Sequence, residues 1–75
     1  PPVLIAPSTN YGLAGSAANL GALMGRKNLY FVPFRQDDPE KKPTSLVADF
    51  SLVAEAAEWA LEGRQFQPVL MGPAS

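Results

Sequence analysis

Seventy-five residues, 47% hydrophobic and 17% charged, exclude a disordered tail, which needs low hydrophobicity and high net charge. Six Lys and Arg against seven Asp and Glu leave a formal net charge of −1, without the clustered positive excess of a nucleic-acid binder. The lack of Cys and His excludes a disulfide scaffold and a thiol nucleophile and removes the commonest general base and the usual zinc ligand. Asp37 and Asp38 could hold a metal, but adjacent carboxylates in a loop are expected to be solvated, so no metal site is expected.

The chain has room for one small domain or part of one. No apolar stretch approaches the roughly 20 residues that span a bilayer. It opens Pro1-Pro2-Val3-Leu4-Ile5-Ala6, without Met and directly on an apolar run, and is expected to be a piece cut from a longer protein. Val3 to Ala6, continuously apolar between prolines, predicts a strand buried on both faces, as in a parallel sheet. Pro7-Ser8-Thr9-Asn10 follows, rich in turn formers and helix caps.

A helix is predicted from about Gly15 or Ser16 to Met24, with Leu13, Ala17, Leu20 and Met24 at helical spacing. Ala17, Gly21 and Gly25 line one ridge, and Ala14, Ala18 and Ala22 the next. Glycine in or near a helix costs about 1 kcal/mol relative to Ala, so a close neighbour should offset it. That neighbour is either the chain's own sheet or another subunit.

Asn28 to Phe34 predicts the second strand, ending at Pro33, and strand–helix–strand at this spacing predicts a parallel βαβ unit. Arg35 to Pro43 is expected to be a polar, solvated loop. A long helix is predicted from Thr44 or Ser45 to Glu62, with Gly63 just past its end. Its broad apolar stripe would be Leu46, Phe50, Val53, Ala57, Ala60 and Leu61, opposite Ser51, Glu55, Glu58 and Glu62. Leu52 and Trp59 lie on a third side and should pack against something beyond the sheet. Gln67 to Met71 is a third short strand or an extended tail, with Pro68 and Pro73 arguing for the tail.

Two parallel strands leave faces and edges uncovered, so oligomerisation is expected. Ligands of open α/β sheets bind outside the carboxyl ends of the strands. Ser8, Thr9 and Asn10 sit there, able to hold a carboxylate or phosphate, or to serve as turn and cap residues. Arg35, Lys41 and Lys42 could bind an anionic substrate, or be neutralised by Asp37, Asp38 and Glu40 among them. Gly12-Leu13-Ala14-Gly15 is not a dinucleotide fingerprint, and no Walker motif is present.

Several stretches resemble the homo-oligomeric, FMN-binding, Rossmann-like flavoproteins that include cysteine decarboxylases. They are Pro2 to Asn10 at the first strand and turn, and Ala18-Asn19-Leu20-Gly21-Ala22-Leu23 on the following helix. Thr9 stands where the decarboxylases carry Met, and their downstream Met-Trp pair is absent. A more specific resemblance, to the dipicolinate synthase B-subunit family, runs in order through nearly the whole chain. Ser8-Thr9-Asn10, Asn19-Leu20, Lys27 to Phe34, Gln36 to Pro43, Ser45, Val47-Ala48, Leu61 to Gln65 and Gln67-Pro68-Val69 carry it.

That resemblance implies an α/β, Rossmann-like three-layer fragment with short parallel strands and two main helices in β-α-β-α order. Residues 1–75 would be the C-terminal part of a flavoprotein-like domain. It implies a cytoplasmic oxidoreductase subunit in the mother cell of sporulating bacteria, inactive as this piece alone. The protein would help oxidise a dihydrodipicolinate-type precursor of the lysine pathway to dipicolinate. The dipicolinate synthase A-subunit, which resembles a nicotinamide-dependent dehydrogenase, would be its partner and bring NAD(P). FMN would belong to the full-length protein, with no cofactor expected on this piece. An FMN-binding module of the decarboxylase-like family is the alternative. Asn10 matches the family's substrate-contacting Asn. Ser8, Thr9, Lys41 and Lys42 complete the expected substrate-binding set, with no membrane or nucleic-acid partner.

Overall fold

The computed structural model describes residues 1–72. Strand β1 (Val3–Ile5) and β2 (Ser8–Thr9) come first, then helix α1 (Ala17–Met24) and β3 (Leu29–Phe31). Strands β4 (Phe34–Asp38) and β5 (Lys42–Ala48) follow, then a 3₁₀ turn at Phe50–Leu52 leading into α2 (Val53–Leu61). The fold class read from the sequence holds: β1 and β3 pair in parallel, Val3 opposite Leu29 and Ile5 opposite Phe31, joined by α1.

Beyond Pro7 and Pro33 the two strands part, and β5 runs between their continuations. The second sheet has the order β2–β5–β4, antiparallel throughout. This corrects two expectations. Arg35–Pro43 is strand β4, a turn, and the start of β5 rather than a solvated loop, and Lys42–Ala48 is a strand rather than the first half of the long helix. As the middle strand, β5 finds backbone partners on both sides, and Ser45, Leu46 and Ala48 are buried. One partner, β4, is the other arm of the hairpin and the second, β2, is remote in sequence; together they outweigh the local helical pattern.

The helix therefore begins at Val53, and its buried face is Ala56 and Ala60. Of the expected apolar stripe, Leu46 is buried in β5, whereas Phe50 and Leu61 are 60% and 77% exposed. The 3₁₀ turn is capped not by Thr44 or Ser45 but by Asp49, whose carboxylate accepts from the Ser51 N–H. Gly63 does end the helix. It has φ 74°, its N–H donates to Ala60, and the Arg64 N–H donates to Trp59, the paired bonds of a Schellman motif.

Trp59 and Leu52 are half-buried, but within this chain. Leu52 packs on the core, and the Trp59 ring lies 5.5 Å from that of Phe66 with the Arg64 guanidinium 4.4 Å from its centre. Helix α1 buries no residue fully and touches the core through Leu20 and Leu23. Its small-residue ridge is not pressed on the chain's own sheet, since a side chain at Gly21 would meet nothing within 4 Å.

The core gathers where the two sheets meet: Phe31, Val32, Phe34, Leu46, Ala48 and Ala56. Gln67–Met71 forms no strand; it bends at Gln67 and Val69 and makes one parallel bridge, Leu70 beside Phe34; Pro73 lies outside the described residues. Just before it, the Gln65 side chain imitates a neighbouring strand. Its Oε1 accepts from the Phe31 N–H at 2.8 Å and its Nε2 donates to the Phe31 carbonyl at 2.7 Å, closing the outer edge of β3. Gln65→Ala is expected to cost about 1–3 kcal/mol and to speed hydrogen exchange at the Phe31 amide. Urea denaturation with exchange mass spectrometry reads both, and unchanged exchange at Phe31 would contradict the edge role.

Candidate functional site

A pocket of about 250 Å³ opens at the carboxyl end of β1, where the chain turns from sheet into α1. Ile5, Pro7, Leu20 and Leu23 line it with apolar surface, and Ser8, Thr9, Ser16 and Asn19 add hydroxyls and an amide. Its position follows from topology, because the chain must leave the sheet at that end to begin the crossover. Thr9 Oγ1 accepts from the Tyr11 N–H at 3.1 Å, a side-chain turn that redirects the backbone. Ser16 stands at the cap position of α1 but makes no capping bond with its side chain.

Asn10 follows the pocket's Ser8 and Thr9 directly and is exposed. Strand β5 holds it at two points. Thr44 Oγ1 donates to the Asn10 carbonyl at 2.6 Å, and Ser45 Oγ donates to Asn10 Oδ1 at 3.5 Å. The Leu13 N–H also donates to the Thr44 carbonyl at 3.0 Å, so the turn is bound to β5 on both sides of Gly12. Gly12 is required there: a Cβ would stand 2.5 Å from Leu46 Cδ1 and 3.0 Å from its Cβ.

The structure thus brings Ser8, Thr9 and Asn10 together. Lys41 and Lys42 are exposed at the β4–β5 turn, where the Lys41 N–H donates to Asp38 Oδ1 at 3.2 Å. Lys42 is three residues along β5 from Ser45, roughly 10 Å, so it stands apart from the pocket. Arg35 is not a free anion binder. It pairs with Asp49 at 2.8 Å and reaches Met71 Sδ at 3.3 Å.

The Ser51 hydroxyl and N–H hold the Asp49 carboxyl below its usual 3.8, with the Arg35 charge adding to them and partial burial opposing. Ser16 and Asn19 are pocket residues that turn chemistry alone does not single out. Asn19 carries a signal only as part of the Asn19-Leu20 motif. Thr44 and Ser45 carry none, because their setting in the sequence reads as a helix start.

Parallel β1 and β3, the connecting α1 and a pocket at the strand's carboxyl end define a Rossmann-like α/β architecture. The chain is similar to the B-subunit of dipicolinate synthase of Bacillus subtilis (strain 168), 47% identical over 70 residues, covering 93% of this chain and 35% of that protein. It also superposes on the crystal structure of the dipicolinate synthase B-subunit from Bacillus halodurans with a TM-score of 0.94, at 46% identity, covering 97% of this chain and 37% of the other. The chain therefore spans a little over a third of the length of these relatives. No protein-family model matches it.

Gly12→Ala is expected to cost about 1–3 kcal/mol and to loosen the Asn10 turn, because Leu46 is buried and cannot move aside freely. Thermal unfolding and exchange at the Leu13 amide measure both. Because the Asp49 carboxyl is depressed in the folded state, its stabilising effect is complete above the unfolded value near 3.8. It is lost as pH falls through the lower folded value. Thermal melts of the protein and of Asp49→Asn across that acid range should converge as pH falls, and parallel curves would contradict the linkage.

Proposed function

We propose that this chain forms part of a substrate site in a dipicolinate-forming oxidoreductase, acting with a nicotinamide-dependent A-subunit. The placement of Asn10 carries the reading. An amide braced by β5 stands beside a pocket with an apolar wall and a hydroxyl rim, a combination suited to a ring bearing carboxylates. An Asn amide donates to a carboxylate without adding charge. Lys41 and Lys42, on the neighbouring hairpin, would add a longer-range attraction for a dianion.

The proposed reaction takes a dihydropyridine dicarboxylate to dipicolinate. Its balance is the loss of two hydrogens, a hydride that an oxidised nicotinamide on the A-subunit would accept and a proton that would pass to solvent. This chain's residues would bind and orient the carboxylates. The pocket's own donors are Ser8, Thr9, Ser16 and Asn19, with no cation and no glycine cradle among them. They do not fit a whole FMN with its phosphate, so no step is assigned to flavin here, and an independent flavin module has less support.

Exposed Phe50, Val53 and Leu61 along one side of α2 and its lead-in favour association with further protein surface, consistent with a homo-oligomer. No helix among the described residues is long and apolar enough to cross a membrane. A cytoplasmic place in a sporulating mother cell belongs to the same proposal.

Asn10→Ala in the full-length protein, assayed together with the A-subunit, is expected to lower dipicolinate formation by roughly tenfold or more while leaving the fold intact. Ultraviolet detection of dipicolinate, with circular dichroism as the fold control, reads the outcome; unchanged turnover would reject the role. Turnover without the A-subunit, accompanied by flavin absorbance, would favour the flavin module instead.

A further inference from the structure

We propose that the cleft around the turn into β3 is a second ligand site, which takes a small organic dianion: phosphate or paired carboxylates carried on a ring. The cleft has a volume of about 340 Å³ and shares no lining residue with the pocket after β1. Helix α1 runs between the two, with Ser16 and Asn19 lining the first pocket and Met24 the second. The proposal does not rest on the reading of Asn10.

Charge sets the ligand class. Arg26 and Lys27 line the cleft, and no Asp or Glu does. Neither cation is in an ion pair among the described residues, unlike Arg35, which is tied to Asp49. Two adjacent cations without a facing carboxylate make a local positive field that attracts an anion. A guanidinium can meet a carboxylate or phosphate with two parallel N–H bonds, and an ammonium adds a point charge.

Backbone bonds hold the lining segments in place. The Leu29 N–H donates to the Arg26 carbonyl at 3.4 Å, and Asn28 has φ 68°, a left-handed conformation that Asn adopts more readily than most residues. The Val3 N–H donates to the Asn28 carbonyl at 2.8 Å, which pins the turn to β1. On the other lining segment, Gln65 is bound to Phe31 through both ends of its amide. Gln67 accepts from the Val69 N–H at 2.9 Å through Oε1. A backbone N–H only donates, so the Gln67 Nε2 hydrogens remain as further donors.

Met24, Tyr30 and Val69 add apolar surface to the same lining. Cations and amide donors with a partly apolar lining suit a charged ring better than a bare ion. Cations just beyond the end of α1 also complement its negative end. That role would show as lost stability with no effect on a ligand, and the test separates the two.

The full-length protein and its Asn10→Ala variant are titrated with dipicolinate, adenosine monophosphate and inorganic phosphate. The Arg26 to Tyr30 amide signals in nuclear magnetic resonance spectra report on the cleft. At least one of the two ring-bearing probes is expected to shift them saturably, more tightly than inorganic phosphate and equally in both proteins. The tighter of the two identifies the source of the charge. Arg26→Gln and Lys27→Gln are each expected to weaken that binding by about three- to tenfold, and added salt should weaken it further.

No saturable shift with either ring-bearing probe would overturn the proposal, as would inorganic phosphate binding as tightly as both. Shifts that vanish in Asn10→Ala would overturn it by placing the ligand in the pocket after β1. Lower melting temperatures of Arg26→Gln and Lys27→Gln with undiminished binding would assign the two cations to the helix end instead.

Discussion

The segment Phe31-Val32-Pro33-Phe34 is almost wholly removed from solvent, and the rest of the structure is arranged around it. It is the hinge at which the chain leaves the parallel sheet and enters the antiparallel one. Phe31 and Phe34 are 1% and 2% exposed, their rings 6.1 Å apart and inclined at 58°. Removal of two aromatic side chains from water is one of the larger favourable terms available to so small a chain. Backbone bonds tie the hinge to its surroundings: Val32 donates to Ile5, Asp49 donates to Pro33, and Phe34 donates to Val69. Pro33, which lacks a donor, occupies the position between the two ladders where none is demanded.

The hinge explains the site. Since β3 and β4 turn away from the line of β1 and β2, a gap opens that only a strand coming back can fill. Strand β5 fills it, and its Thr44 and Ser45 then lie beside the turn after β2. A loop that would otherwise be held only at its ends is held in its middle. Gly12 belongs to the same arrangement, because the turn can lie flat on β5 only where no side chain separates it from Leu46. The order of dependence runs from aromatic burial, to the splay of two strands, to the inserted strand, to the anchored turn that carries Asn10.

This order also accounts for what could be read in advance. Strand β1, helix α1 and strand β3 declare themselves through local runs and spacing, and Gly63 marks its helix end through local backbone chemistry. Ser8, Thr9 and Asn10 are legible as turn residues at a strand's carboxyl end, and the role expected of Asn10 comes from resemblance alone. Strand β5 is not legible, because a middle strand buried on both faces shows no alternation. Its Leu46 also happens to fall in helical step with Phe50, Val53 and Ala57. The charges of Arg35 to Lys42 suggest a solvated loop, yet they suit the outer strand and tip of a hairpin equally well. Ser45 can be recognised only from the register, a property of the paired strands and not of either one.

The two edges of the parallel pair differ in chemistry. Val3 donates to Asn28 and Ile5 accepts from Val32, so both face β3, and the intervening Leu4 directs its N–H and carbonyl the other way. On the far side of β3 the equivalent groups of Phe31 are bound by Gln65. One edge is thus closed by a side chain, and the other, among the described residues, presents the unpaired backbone of an edge strand, a template for a further strand. Val3 is about half exposed on that edge, and α2, which packs over β1 and β3, carries Phe50 and Leu61 on its uncovered side and lead-in. Apolar helix surface and open strand edge therefore call for more polypeptide, while the hairpin and the Gln65 seal do not. Buried apolar surface is concentrated at the hinge, and much of the exposed apolar surface lies on β1 and the bare face of α2.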